Sequence, residues 1–162
     1  MSIAIGDKIP NVSLLMMGTE GPAFVELNEF IEGKKVALFG LPGAYTGTCT
    51  SDHVPSFIRT KGGFDSKGVD HVICIAVNDP FVMKAWSDST GAGDAGLIFL
   101  SDAGAEFTKA IGMNFTAEPV GFYNRSKRFS LYSENGVVNM LNIDENPGLC
   151  EVSAGEILLE AI

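Results

Sequence analysis

The sequence predicts an α/β fold, a mixed central sheet flanked by helices, and three observations carry that expectation. Short continuous apolar runs recur at 35–41 (KVALFGL), 71–77 (HVICIAV) and 96–102 (GLIFLSD), as expected of strands buried on both faces. Segments with helical spacing fall between them. A late pair of runs at 128–143 is joined through Asn135-Gly136, a strong hairpin signal. Parallel strands need a crossover and a hairpin is antiparallel, so the two together imply one mixed sheet.

Each element has its own signals. Residues 51–60 place Val54, Phe57 and Ile58 on one helical face, with Pro55 near the start, where the first turn tolerates it. Asp79 and Pro80 read as the cap and first residue of a second helix. The stretch GAGDAG at 91–96 matches G-x-G-x-x-G. A dinucleotide site needs a strand before that motif and a helix after it; here the order is reversed, so a loop is expected. A short helix follows over 106–111. The last helix, 153–161, opens with Ser153 and Glu156 at capping-box spacing. No repeat, linker or low-complexity tract interrupts the chain, and a single domain over 1–162 is expected. This layout is that of the thioredoxin-like fold.

Composition narrows the function. At 162 residues the chain can bury a core without disulfides. Its net charge of −9 opposes binding to phosphate backbones, so no nucleic-acid partner is expected. No apolar run approaches the ~20 residues of a membrane span, and no Lys/Arg run suggests a membrane surface. The opening MSIAIGDKIP lacks the basic and apolar regions of a signal peptide. Cys49, Cys74 and Cys150 are odd in number and widely spaced, unlike a secreted disulfide framework. A reducing, cytoplasmic home is the expectation.

The chemistry concentrates in LPGAYTGTCTSDHVPSF, residues 41–57. A metal site is not expected: the only histidines are His53 and His71, and Cys49 with His53 supplies just two ligands. A Cys/His hydrolase needs an imidazole that reaches back to the thiol, whereas a residue four places on points along the helix side. A disulfide reductase needs C-x-x-C, and Thr46 stands where its first thiol belongs. What remains is one thiol at the start of a helix, where unpaired backbone N–H groups favour a thiolate. On these residues alone Cys49 is equally read as a small buried side chain.

The wider pattern separates the two readings. Pro42, Thr46 and Cys49 in PGAYTGTC spell P-x-x-x-T-x-x-C, which resembles the active-site signature of peroxiredoxins, in particular the type II, peroxiredoxin 5-like branch. AIGDKIPNVSL, CIAVNDPFVMKAW at 74–86 and RSKRFSLYSENGVVNMLNI at 125–143 resemble further parts of that family in the same order. The resemblance implies a thiol peroxidase without metal or organic cofactor, acting on hydrogen peroxide and organic hydroperoxides. It makes Cys49 the peroxidatic cysteine, oxidised to a sulfenic acid. Thr46 becomes a hydroxyl that bonds thiolate and peroxide, and Pro42 a shield against water. Arg128, the arginine before Phe129, becomes the active-site arginine; Arg125 competes for that role and otherwise reads as a surface charge. His53 matches a histidine of this branch and is taken as structural or polarising. Gly47 departs from the proline of many relatives and loosens the turn. Cys74 and Cys150 are candidate resolving residues; otherwise glutaredoxin, thioredoxin or glutathione reduces Cys49 directly. A homodimer packed around the active-site loops, with Tyr45 and Phe81 in contact, is also implied. The competing class is a peroxide sensor or thiol-regulated binding protein.

Overall fold

The computed structural model describes residues 1–162. Its strands are β1 Ser13–Gly18, β2 Gly21–Glu26, β3 Lys35–Gly40, β4 His71–Ala76, β5 Ile98–Ser101, β6 Asn114–Ala117, β7 Phe122–Ser126, β8 Phe129–Glu134 and β9 Val137–Ile143. Its α-helices are α1 Leu27–Ile31, α2 Val54–Ser66, α3 Pro80–Thr90, α4 Glu106–Ala110 and α5 Gly155–Ala161. Seven strands form one sheet in the order β2-β1-β5-β4-β3-β8-β9, and β6 pairs with β7 apart from it.

The three apolar runs become β3, β4 and β5, paired in parallel, with α2 and α3 as the crossovers. β8 then runs antiparallel to β3 and to β9, which is the mixed sheet expected. Asn135 and Gly136 both take positive φ (49° and 74°) in the β8–β9 turn, the conformation that Asn-Gly supplies at least cost. Strand alternation divides the core. Val36, Leu38, Ile73 and Ile75 face a layer containing Ile31 and Phe107. Ala37, Phe39, Val72 and Cys74 face the opposite layer with Phe57, Trp86, Leu158 and Cys49. Phe39 and Phe57 stack there with ring centroids 4.0 Å apart. Cys49 is therefore anchored on the α2 side of the sheet, beside its central strand.

Several elements differ from the sequence expectation. The β1–β2 hairpin, α1 and the β6–β7 ribbon were not anticipated; β2 is largely exposed, so it lacks the apolar alternation that marks a half-buried strand. The first helix runs on to Ser66, and a π-helical turn over Cys49–His53 precedes α2. Pro55 gives the reason: it has no N–H to donate to Ser51, and its ring crowds that carbonyl. The turn widens, and Val54 N–H bonds back to Cys49 O. The capping box at the last helix is not formed. The N-cap is Ala154, with no side-chain bond. Ser153 instead donates to the buried Asp144 carboxylate, and Glu156 pairs with Arg59 at 2.8 Å. A buried carboxylate needs donors more than an exposed helix end does. Asp79 does cap α3, accepting from Val82 N–H, and 91–96 is a turn.

Candidate active site

Where β3 ends at Gly40, the chain leaves the sheet through a loop that two side chains hold. Arg125 Nη1 donates to Pro42 O at 2.9 Å, and Ala44 N–H donates to Asn78 Oδ1 at 2.9 Å. Gly43 has φ +154°, and a Cβ there would lie 2.2 Å from Arg125 Nη1, so the clamp requires glycine. Tyr45 follows in the left-handed region, with φ 61°. Thr46 Oγ1 donates to Gly43 O at 2.7 Å, and Thr46 O accepts from Thr50 N–H. Helical structure begins at Gly47, which puts Cys49 in its first turn. Trp86 Nε1–H fastens that turn through Thr50 Oγ1 at 3.1 Å.

Arg128 arrives from the other end of the chain, just before β8. It is buried, with 1% of its surface exposed. Nη2 donates to Cys49 Sγ at 3.1 Å and to Pro147 O at 2.9 Å; Nε also donates to Pro147 O, at 3.1 Å. Nη1 meets His53 Nδ1 at 3.1 Å. No carboxylate pairs with it, since the ion pairs of the chain are Arg59–Glu156, Lys61–Asp65 and Lys84–Asp88. A buried cation without an anion is costly. Of the groups that Arg128 bonds, the Cys49 sulfur is the one able to carry negative charge.

His53 is fixed by its two partners. Its Nε2 lies 3.0 Å from Ser153 O, and a carbonyl only accepts, so Nε2 carries the hydrogen. The guanidinium only donates, so Nδ1 presents its lone pair. Burial, the Arg128 charge beside it and, acting against both, the Ser153 carbonyl bring its pKa down to about 3. His53 is thus a neutral acceptor with its lone pair already used.

The structure brings Cys49, His53 and Arg128 together. Pro42 is buried in the loop that leads from β3 to the Cys49 turn. The Thr46 hydroxyl gives its hydrogen to Gly43 rather than to the sulfur, a difference from the expected bond to the thiolate. Arg125 is not a loose surface charge: besides the Pro42 carbonyl, it lies over the Phe122 ring at 5.2 Å. Cys74 sits mid-strand in β4, between Phe39 and Phe99 on the neighbouring strands. Burial, reinforced by Cys49 and opposed by Arg128, raises its pKa well above the ordinary value. Cys150 lies in the loop after β9, and burial is the first cause of its raised pKa. All three thiols are free. No group of three His, Cys, Asp or Glu side chains is placed to hold a metal. Pro147, Ser153, Asn78 and Arg125 were not anticipated as supports; three act through the backbone carbonyls or side-chain amide of distant loops, which leave no local pattern.

A buried thiol under a guanidinium at a helix start, on a thioredoxin-like sheet, defines a thiol-based redox enzyme. The Redoxin family profile matches residues 4–158. Peroxiredoxin-2E-2, chloroplastic, of Oryza sativa subsp. japonica is 42% identical over 97% of this chain and 72% of its own length. Peroxiredoxin-2C of the same plant is 39% identical over 99% of this chain and 98% of its own. The crystal structure of reduced Prx3 in complex with H2O2 from Vibrio vulnificus superposes with a TM-score of 0.91, at 39% identity and 98% coverage of both chains. The chain belongs to the Redoxin family and, within it, to the type II peroxiredoxins. Its activity is that of a thiol-dependent peroxidase.

Proposed function

We propose that Cys49 is the peroxidatic residue and that Arg128, Thr46 and Pro42 complete its site. The carrying observation is the buried Arg128 guanidinium, unpaired with any carboxylate and donating to Cys49 Sγ at 3.1 Å. The thiolate attacks the terminal oxygen of the hydroperoxide. An S–O bond forms and the O–O bond breaks; the sulfur becomes a sulfenic acid, and the departing alkoxide or hydroxide takes a proton. Arg128 stabilises the departing oxygen without losing a proton, because guanidinium stays charged. Thr46, whose hydrogen is committed to Gly43, offers a lone pair to the peroxide O–H. His53 holds the guanidinium plane and does not act as a base.

An external thiol returns the sulfur to the reduced state. The first thiol condenses with the sulfenic acid, releasing water and leaving a mixed disulfide; a second thiol displaces Cys49. Glutaredoxin, thioredoxin and glutathione all supply this chemistry. In support, burial disfavours the thiolate form of both internal candidates, Cys74 and Cys150, and Cys74 is held within a sheet paired on both sides. Bridging it to Cys49 would require backbone movement. The 162 residues are proposed to work as one domain and to pair as a homodimer through Tyr45 and Phe81, which are 56% and 66% exposed beside the site. A cytoplasmic location is proposed from the free thiols, which need a reducing compartment; similar chains are named as chloroplastic and mitochondrial. No helix is long and apolar enough to cross a membrane.

One equivalent of hydrogen peroxide, a sulfenic-acid trap and peptide mass mapping test the assignment. Label on Cys49 alone is expected. A Cys49–Cys74 or Cys49–Cys150 disulfide would replace the external-thiol step, and label that persists elsewhere in a Cys49→Ser variant would overturn the site.

A further inference from the structure

The Asp144 carboxylate is 4% exposed and has no cationic partner. Its bonds all go to the loop that follows it. It accepts from Glu151 N–H at 3.1 Å, Val152 N–H at 2.8 Å, Ser153 N–H at 3.4 Å and the Ser153 hydroxyl. These bonds close residues 144–153 into a fixed turn, and the carbonyls of that turn point at the reaction site. Pro147 O takes two bonds from Arg128. Gly148 O takes the Thr48 hydroxyl at 2.6 Å. Ser153 O takes His53 Nε2–H. At the turn's other end, Asp144 N–H donates to Arg128 O at 3.0 Å.

A ring of bonds therefore runs from Cys49 through Arg128, His53 and Ser153 to Asp144, and back to the Arg128 backbone. Arg128 cannot keep its place over the sulfur by its own rotamer alone, because a long side chain gives up several freely turning bonds when fixed. The Pro147 and Ser153 carbonyls supply the fixation, and Asp144 fixes the carbonyls. An amide at 144 could not substitute in full. It has one acceptor oxygen where the carboxylate has two, each already serving at least one donor.

We propose that Asp144 is a positioning residue for peroxide reduction, acting through the 144–153 turn to hold Arg128 over Cys49. This rests on the Cys49–Arg128 reading above, and the test separates the two.

The test compares Asp144→Asn and Asp144→Glu in the full chain, each alone and in an Arg128→Lys background. Stopped-flow gives the rate of Cys49 oxidation by hydrogen peroxide, and iodoacetamide at the same pH gives its rate of alkylation, which needs no guanidinium on a leaving oxygen. Asp144→Asn should slow the peroxide step about tenfold or more, since displacements near 1 Å at a reacting centre reach 10²-fold. Alkylation should change less than about threefold, and Asp144→Glu should recover most of the loss. In the Arg128→Lys background, Asp144→Asn should cost less than about twofold, because residues acting as one unit are not additive. Equal losses in both backgrounds, equal losses in both reactions, or a folded Asp144→Asn chain with full peroxide reactivity would each overturn the proposal. Should Asp144→Asn not fold, Ser153→Ala removes one donor to the carboxylate while keeping the carbonyl to His53, with the same expectations at smaller size. If Arg128→Lys alone leaves the peroxide rate unchanged, the reading of the site itself fails.

Discussion

If Cys49 is the peroxidatic residue, as proposed, the local question is what would hold a negative sulfur out of water. The unpaired N–H groups of the first helical turn contribute, but a fast thiol also needs donors on the oxygen that leaves. In the proposed site the Arg128 fork serves both needs: one Nη2–H is on the sulfur, Pro147 and His53 take three more, and the fifth N–H, on Nη1, is left for the departing oxygen. Lysine carries the charge but not the fork. Arg128→Lys should therefore slow peroxide oxidation of Cys49 about 10²–10³-fold, the size of losing one preorganised donor, as read by stopped-flow with the fold checked by circular dichroism. His53 makes a separate prediction about pH. Its native pKa of about 3 lies below its ordinary 6.5, so between those values the unfolded chain binds a proton that the native chain refuses. Stability is then lost as pH falls from 6.5 toward 3, by up to about 1.4 kcal/mol per pH unit. Denaturant unfolding at pH 7 and pH 5 should show this loss in the native sequence and a smaller one in His53→Gln. The Cys49 and Arg128 positions were legible because both sit in short motifs, P-x-x-x-T-x-x-C and Arg-Phe. The Asp144 turn was not, because its carboxylate serves backbone N–H groups that any sequence possesses.

The decisive element is the helix start. Pro55 forces the π turn, and that turn sets which way His53 and Cys49 face Arg128. The apolar spacing of 51–60 showed a helix but not its first turn, because periodicity reports the buried face and says nothing of which carbonyl each N–H reaches. The expected Ser153 cap failed for a related reason. Local pattern named a good capping residue, while a buried acid nine residues upstream took its hydroxyl. Gly47 opens the helix with open space where a Cβ would stand. Proline suits the first helical position, and it narrows the unfolded ensemble. Gly47→Pro should raise stability by about 0.4–1 kcal/mol and slow amide hydrogen exchange over residues 48–54. Unchanged exchange there would show that Gly47 does not control unwinding of the turn.

Across the whole molecule, the sheet joins residues that are far apart in sequence. β3 delivers the loop that leads to Cys49, and its antiparallel neighbour β8 delivers Arg128 beside it, because Gly40 and Phe129 are register partners. The parallel core and the late hairpin were readable from apolar runs and an Asn-Gly turn, and that pairing is what makes the site. The edges were harder to read: β2 is the exposed edge strand and β1 beside it buries only Leu14 fully, so burial does not impress an alternation on them. Tyr45 and Phe81 are large, apolar and exposed beside the site, and a homodimer would cover them. On the homodimer proposal the native chain should sediment as a dimer and Phe81→Asp as a monomer; an unchanged sedimentation coefficient would exclude this face. The most direct test of the account is rapid mixing of the reduced protein with hydrogen peroxide, following loss of the Cys49 thiol. Oxidation of that one thiol is expected at least about 10²–10³ times faster than free cysteine at the same pH. A rate close to that of free cysteine would contradict it.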